Sequence, residues 1–565
     1  MKQNVNTTLY PYLLFWLLIN LVQSQFTELF HDEALYWVCS QHLDWGFWDH
    51  PPAAPFLIWL GYGLIHSELG VRLFIVLASV LTLFGIWRLV RPADNRLFFA
   101  LVFSIFIVHI GGFMAAPDIP LLLFSTWFLV AYREYIQHDR WSTAMILGLL
   151  VAGMAYSKYH GAIILFFVLL SNLKLLRRQS FWVIPVIALV LFFPHLYWQW
   201  VHGFPTFRYH LIDRAGDSYK WTFISDYLGG QLLVLGPFSS ILLLWAAFRY
   251  RAKSDLERSL KWALWGVLGF FLFQSFSQRT EANWTAVAVV PLIYLAYRYI
   301  EDKPRWRKWS FRLAIPSLLI FLVFRLYLMV DFLPAGMNPR NEVHGWKKWA
   351  LDIRAVAGDR PVVFYNTYRK PSKYSFYAHR TGISINKGSH AGNQYDLVPE
   401  MEESLQGKEV LLVDKRLNEG VTFTPGGLQD LQYRIVDDFR SFNRVKVQVL
   451  DAPRLLPADT MLQLTIDIFN PTDHPIRFQD GKREVSLRYL VFLGDETALE
   501  GSATSALPTK EISPGTHERW NVSLRTPHKP GEYRYRFGFQ VEGFSAGRNG
   551  PFNPLCVVGK VNSIR

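Results

Sequence analysis

The sequence predicts a polytopic α-helical membrane domain over residues 1–335, a small extracytoplasmic α/β module over 336–452 and a C-terminal Ig-like β-sandwich over 453–565. Three observations predict it. The long apolar runs are confined to residues 9–331, basic residues recur in every second loop between them, and from Asn338 onward the chain reads like an ordinary soluble protein. The whole-chain composition averages over this split: 51% of the 565 residues are hydrophobic, 16% are aromatic and only 18% are charged, against about 25% charged in an average soluble protein.

A bilayer-spanning helix needs about 20 mostly apolar residues. About eleven segments come near that criterion, at 9–25, 70–90, 96–113, 117–135, 142–157, 160–176, 181–200, 227–249, 260–277, 284–300 and 312–331. The first follows Met-Lys and leads into Gln25-Phe26-Thr27-Glu28 with no small-residue cleavage site, so it reads as a retained membrane helix rather than a signal peptide. Pro55 to Ile65 is apolar but short, which suits an interfacial or re-entrant helix.

Loop charges orient the spans. Arg88, Arg91 and Arg96, then Arg133 and Arg140, then Lys174, Arg177 and Arg178, then Arg249 to Lys261, then Lys303 to Lys308 all fall in alternate loops. The positive-inside rule makes those loops cytoplasmic. The remaining loops, and everything after Asp331, then face the periplasm or the cell exterior, and the chain is expected in the inner (plasma) membrane. This distribution also accounts for the net charge of +13. No basic face or reader motif accompanies it, so nucleic acid is not an expected partner.

Beyond the spans, Trp346 to Val356 has a helical period, and Pro361 to Tyr365 and Val410 to Val413 read as short buried strands. From 453, alternating runs at 462–469, 485–491 and 533–540 with turn residues between them predict the sandwich. Cys39 and Cys556, the two cysteines, form neither a disulfide framework nor a zinc motif.

The outward loops hold the polar chemistry. The first packs His31, Asp32 and Glu33, then Trp45, Trp48, Asp49 and His50, at the membrane edge; the second places Asp118 at the mouth of a span; the third carries Ser157-Lys158-Tyr159-His160. Charge at membrane depth is costly and marks a functional site by default. These residue types suit a lipid-linked sugar donor. A cation faces the departing phosphate, a carboxylate within hydrogen-bond reach takes the proton of the attacking hydroxyl, aromatic faces stack on the sugar, and an apolar groove takes the lipid tail.

Each residue also has a plainer reading. Asp32 and Glu33 suit a helix N-terminus, as does Asp118 after Pro117. Lys158 suits snorkelling to the interface, and Glu281 suits a surface pair with Arg279. His31, His50 and His160 would serve a divalent metal, or else hydrogen-bond to backbone.

Asp32-Glu33-Ala-Leu-Tyr-Trp, Trp48-Asp49-His50-Pro-Pro, Pro117-Asp118-x-Pro-Leu-Leu-Leu-Phe, Ser157-Lys158-Tyr159 and Glu281-x-Asn283-Trp284 occur in this order within residues 25–300. In that order they resemble glycosyltransferase family 39, the bacterial relatives of the protein O-mannosyltransferases with the GT-C fold; the layout is also similar to that of the lipid A aminoarabinose transferases. The resemblance implies an inverting, one-step transfer from a polyprenyl-phosphate sugar to a lipid, glycan or protein acceptor. It implies Asp32 as general base, Glu33 orienting it or the acceptor, Asp118 as second acid, Asp49 and His50 on the site floor, and Lys158 with Tyr159 at the phosphate. Glu281, Asn283 and Trp284 join the donor site by the same motif match, and Arg208 and Arg214 by their position in the fourth outward loop. Trp198-Gln199-Trp200 resembles a segment that in the family reads Trp-Asn, so Gln199 inherits no role. A ligase using a lipid diphosphate, with or without a divalent metal, would use the same loop acids. A transporter would carry its charges near the midplane in paired halves, and here they collect at one edge.

Overall fold

The computed structural model of the chain describes residues 9–209, 219–334, 342–390, 392–417, 419–494 and 496–559. These divide into two compact units, Met1–His344 and Gly345–Arg565.

The first unit is helical. Every apolar segment expected to span coincides with a helix or a broken pair of helices. Tyr10–Phe26, Glu68–Val90, Asp118–His138, Trp141–Ser157, Val183–Val201, Asp255–Gln274 and Pro304–Met329 are single helices. The segment 96–113 is split into Asn95–Phe103 and Phe106–Gly111, and 227–249 into Thr222–Val234 and Ser240–Arg249. The second break has a local cause. Gly236 takes φ +116, and a Cβ there would lie 2.3 Å from the Ser104 carbonyl oxygen, so the chain turns where only glycine fits. Gly161–Leu170 is shorter than expected, and Val289–Ile300 is entered through a 3₁₀ turn at Ala282–Ala288.

By length and composition, three helices among the described residues suffice individually to cross a membrane: Glu68–Val90, Gln179–Val201 and Pro304–Met329. Tyr10–Phe26 with His31–Gln41, bent by 87°, makes a fourth if taken as one span. Val183–Val201 turns Val186, Leu189, Val190 and Phe193 outward, each about three-fifths exposed, as a lipid-facing helix does. Ala53–Leu64 is a short apolar helix at the position expected for an interfacial one.

The second unit opens with the helix Trp346–Ala357 and a five-stranded sheet in the order 382–385, 362–365, 410–414, 431–436, 421–423, the first three parallel and the rest antiparallel. A β-rich region follows. Its five-stranded and three-stranded sheets contribute to one apolar core containing Ile466, Leu487, Val491, Trp520 and Phe537. Lys446–Val449 pairs with Met461–Phe469, so this region begins a few residues before the expected boundary at 453.

Candidate active site

Three loops meet at Asp118. Both its carboxylate oxygens accept from Lys158 Nζ, at 2.9 and 3.0 Å, and Oδ2 also accepts from Asn283 Nδ2 at 3.1 Å. Local structure explains the meeting. Pro117 opens the helix Asp118–His138 and leaves Asp118 in its first turn, where the helix dipole favours an anion. Lys158 is the extended residue that ends Trp141–Ser157. Asn283 lies in the first turn of the 3₁₀ segment. Lysine and acid are 7% and 10% exposed. The expected Asp118, Lys158 and Asn283 are therefore one cluster, with the lysine held by the acid.

The first loop reaches the same cluster through His50. Its Nδ1 lies 3.3 Å from Asp49 Oδ2. Burial pulls the His50 imidazole down, but the charge of Asp49 and the hydrogen bond to it, with Asp118 adding to them and Lys158 opposing, hold it above its ordinary value. Tyr36 packs 5.8 Å from the His50 ring and lies four residues after Asp32, on the same helix face. Asp32 itself is exposed in the first turn of His31–Gln41.

Glu33 is a correction. It was expected to face base or acceptor, but it is fully buried and its oxygens are occupied by Arg72 Nε at 2.8 Å, Arg72 Nη2 at 2.5 Å, Ala115 N at 2.7 Å and Phe30 N at 2.8 Å. Arg72 also donates to the carbonyls of Ser24, Thr27 and Glu28. Adjacent helical residues point in different directions, so one of the two neighbouring acids faces outward and the other braces the fold.

Beside the cluster lies a cavity of about 270 Å³, lined by Tyr159, His160, Phe207, Phe271, Gln274 and Trp284 among others. Its walls are mostly aromatic, and Gln274 Oε1 is buried without a hydrogen-bond partner among the described residues. Tyr159 and Trp284 line this space as neighbours of Lys158 and Asn283. Arg208 is exposed at the end of Pro205–Arg208, next to the lining residue Phe207. Glu281 pairs with Arg279 at 3.4 Å on the surface. Arg214 lies outside the described residues. Among the described residues, no three His, Cys, Asp or Glu side chains converge as a metal set; His160 packs on Phe271 and Trp284 at ring distances of 5.3 and 5.2 Å.

Sequence reasoning missed His195. Its Nδ1 lies 2.6 Å from the Trp45 carbonyl and its Nε2 2.7 Å from the Tyr159 hydroxyl. A carbonyl only accepts, so Nδ1 carries the proton and Nε2 accepts from tyrosine. Gln199 Nε2 donates to Tyr159 Oη at 3.2 Å and to Thr206 Oγ1 at 2.6 Å, and Thr206 donates to the Phe47 carbonyl at 3.2 Å. The network ties the first loop to the cavity wall. Gly46 fits there because a Cβ would stand 2.4 Å from the Trp198 ring. A histidine within an apolar span was the available signal, and the same signal would have found Arg72.

Residues 49–198, which contain Asp49, His50, Asp118, Lys158, Tyr159 and His195, match the family model for dolichyl-phosphate-mannose-protein mannosyltransferase. The lipid A galacturonosyltransferase RgtD of Rhizobium johnstonii is 27% identical over 333 residues, covering 55% of this chain and 69% of that relative. Over these segments the chain is similar to glycosyltransferases of the protein-mannosyltransferase type. Its fold is that of ArnT from Cupriavidus metallidurans. The apo crystal structure aligns with a TM-score of 0.56 at 14% identity, over 75% of this chain and 98% of that one. ArnT bound to undecaprenyl phosphate aligns at 0.54 and 14%, over 72% and 93%.

Proposed function

We propose that this membrane protein transfers a sugar from a polyprenyl-phosphate carrier to a lipid acceptor, with lipid A as the leading acceptor class, on the periplasmic face of the inner membrane. The observation that carries the reading is the convergence of Asp118, Lys158 and Asn283 beside the aromatic cavity. Two relatives point the same way, one named for lipid A and one solved with undecaprenyl phosphate. The basic-loop alternation supports the periplasmic orientation.

The chemistry follows from charge. The acceptor hydroxyl attacks the anomeric carbon and its proton passes to the Asp32 carboxylate. The bond from the anomeric carbon to the phosphate oxygen breaks, its electron pair leaves with the carrier phosphate, and the anomeric configuration inverts. Lys158 stabilises the charge that grows on that phosphate. Asp118 holds the ammonium in place, and two bonds to the carboxylate leave one of its three donors for the phosphate. The outer unit, read as an α/β module and a β-sandwich, selects the acceptor.

The test is mass spectrometry of lipid A and the other outer glycolipids from a deletion strain complemented with wild-type protein or Asp32→Asn. One sugar increment disappears on deletion, returns with wild type and stays absent with Asp32→Asn, since removing a general base costs about 10²–10⁴ in rate. Purified Asp32→Asn keeps its melting temperature and its affinity for undecaprenyl phosphate. Restoration of the sugar by Asp32→Asn would remove that residue as the base.

A further inference from the structure

The outer unit brings three strand ends together. Val362–Tyr365 lies between Gly382–Ile385 and Val410–Asp414, and all three run parallel. The chain leaves the middle strand first to one side and later to the other, and ligands of open α/β sheets bind outside the carboxyl ends of strands at such a switch point. Cations follow each strand here. Lys370 lies in the first turn of Arg369–Ala378, a helix without a side-chain cap; Lys387 follows the second strand, and Lys415 and Arg416 follow the third.

These groups share one edge. Lys387 Nζ bonds Asp414 Oδ2 at 3.0 Å and stands 4.3 Å from the centre of the Tyr365 ring. Asn366 Oδ1 accepts from Lys387 N at 2.8 Å, which fixes the second loop against the first. The β-rich region backs the edge, with Ala546 O accepting from Gly388 N at 2.8 Å. Lys370 has no hydrogen bond or ion pair with any described residue. Burial draws its amine down to about 8, with Asp414 opposing the shift and Lys415 adding to it. At neutral pH the amine still carries its charge, and an anion beside it would raise the value again.

We propose that this edge is a binding site for a phosphate group, held by Lys370 and Lys387 at the start of the Arg369–Ala378 helix. A helix N-terminus favours an anion, and the lysines supply the charge that Asp414 alone leaves unbalanced. The phosphate comes either from a lipid headgroup or from a soluble phosphate ester. The site stands apart from the transfer reading, and the Asp32→Asn result neither supports nor harms it.

The experiment uses the full chain in phosphatidylcholine nanodiscs, in a Lys158→Ala background that weakens the membrane-unit phosphate site. Calorimetric titration with inorganic phosphate and with glucose 1-phosphate forms one arm. Co-flotation with phosphatidylcholine vesicles, with and without phosphatidic acid, forms the other. We expect binding in at least one arm, weakened about tenfold or more by Lys370→Gln or Lys387→Gln, the scale of one charge-assisted hydrogen bond, and retained by Lys387→Arg. Binding to phosphatidic acid alone assigns a lipid headgroup, and binding to the soluble esters alone assigns a soluble phosphate. No binding in either arm, or equal binding by the Lys370→Gln/Lys387→Gln double variant, would overturn the proposal. Retention by Lys387→Arg separates loss of charge from misfolding.

Discussion

Glu33–Arg72 and Asp118–Lys158 are both buried carboxylates gripped by a cation near a helix start, and they differ in what remains free. Both side chains of the first pair are fully buried, and arginine and acid fill their capacity with each other and with backbone. The second pair is 7% and 10% exposed, lies beside a cavity, and leaves the lysine one donor. The planar, five-donor guanidinium suits a permanent brace, while the compact ammonium suits a group that also meets a ligand. Burial of charge alone does not separate scaffold from site. Residual hydrogen-bonding capacity next to open space does.

The sharpest test of the contrast is to break each pair. Arg72→Ala or Glu33→Ala leaves a buried charge without its partner, at a cost of about 3–5 kcal/mol, read as a large fall in melting temperature and yield. Undecaprenyl phosphate affinity of whatever protein folds stays near wild type. If Arg72→Ala were well folded but failed to bind the carrier, the brace would be part of the site.

Lys158→Ala reverses the pattern. Asp118 keeps Asn283 and lies closer to water, so the stability loss is smaller than for Arg72→Ala. Undecaprenyl phosphate binding weakens by about tenfold or more, as expected for a lost charge-assisted hydrogen bond. Equal affinity in Lys158→Ala and wild type would move the phosphate to another cation, with Arg208 the first to test.

Much of the membrane unit was legible because apolar run length is a local signal, so each expected span met a helix. The breaks at Ser104–Ile105 and around Gly236 were not, because the second depends on contact with the Ser104 carbonyl. In the site, the sequence motifs single out Asp118, Lys158 and Asn283 but not their union, since hydrogen bonds across 40 and 165 residues leave no spacing to read. Glu33 was misassigned for the same reason. Its partner Arg72 is 39 residues away, in a segment read only for its apolarity. The boundary at 453 fell late because Lys446–Val449 is too short to show alternation and is identified by its pairing.

His50 gives a smaller effect. Its raised value means that the folded state holds the proton more tightly than the unfolded one. That stability is complete below about 6.5, the unfolded value, and is lost as pH rises through the raised folded value. The two side chains are 17% and 30% exposed, so the effect stays within about 1 kcal/mol. Melting temperature followed against pH should decline over that window in wild type and be flatter in Asp49→Asn. An unchanged slope would detach His50 from Asp49.

The smallest effect separates two residues of one motif. Glu281 and Asn283 were both expected at the donor, but Glu281 faces Arg279 with exposures of 42% and 65%, while Asn283 donates to the buried Asp118. An exposed ion pair contributes about 0–1 kcal/mol, so Glu281→Gln should leave melting temperature and turnover near wild type. Asn283→Ala removes a hydrogen bond to a charged acceptor, worth about 1.5–3 kcal/mol, and should lower turnover more than it lowers stability. Asn283→Asp sharpens the point by setting a second carboxylate against Asp118 and raising the demand on Lys158. If Glu281→Gln proved as damaging as Asn283→Ala, the acid would belong to the site, and the exposed pair with Arg279 would be a resting arrangement that substrate replaces.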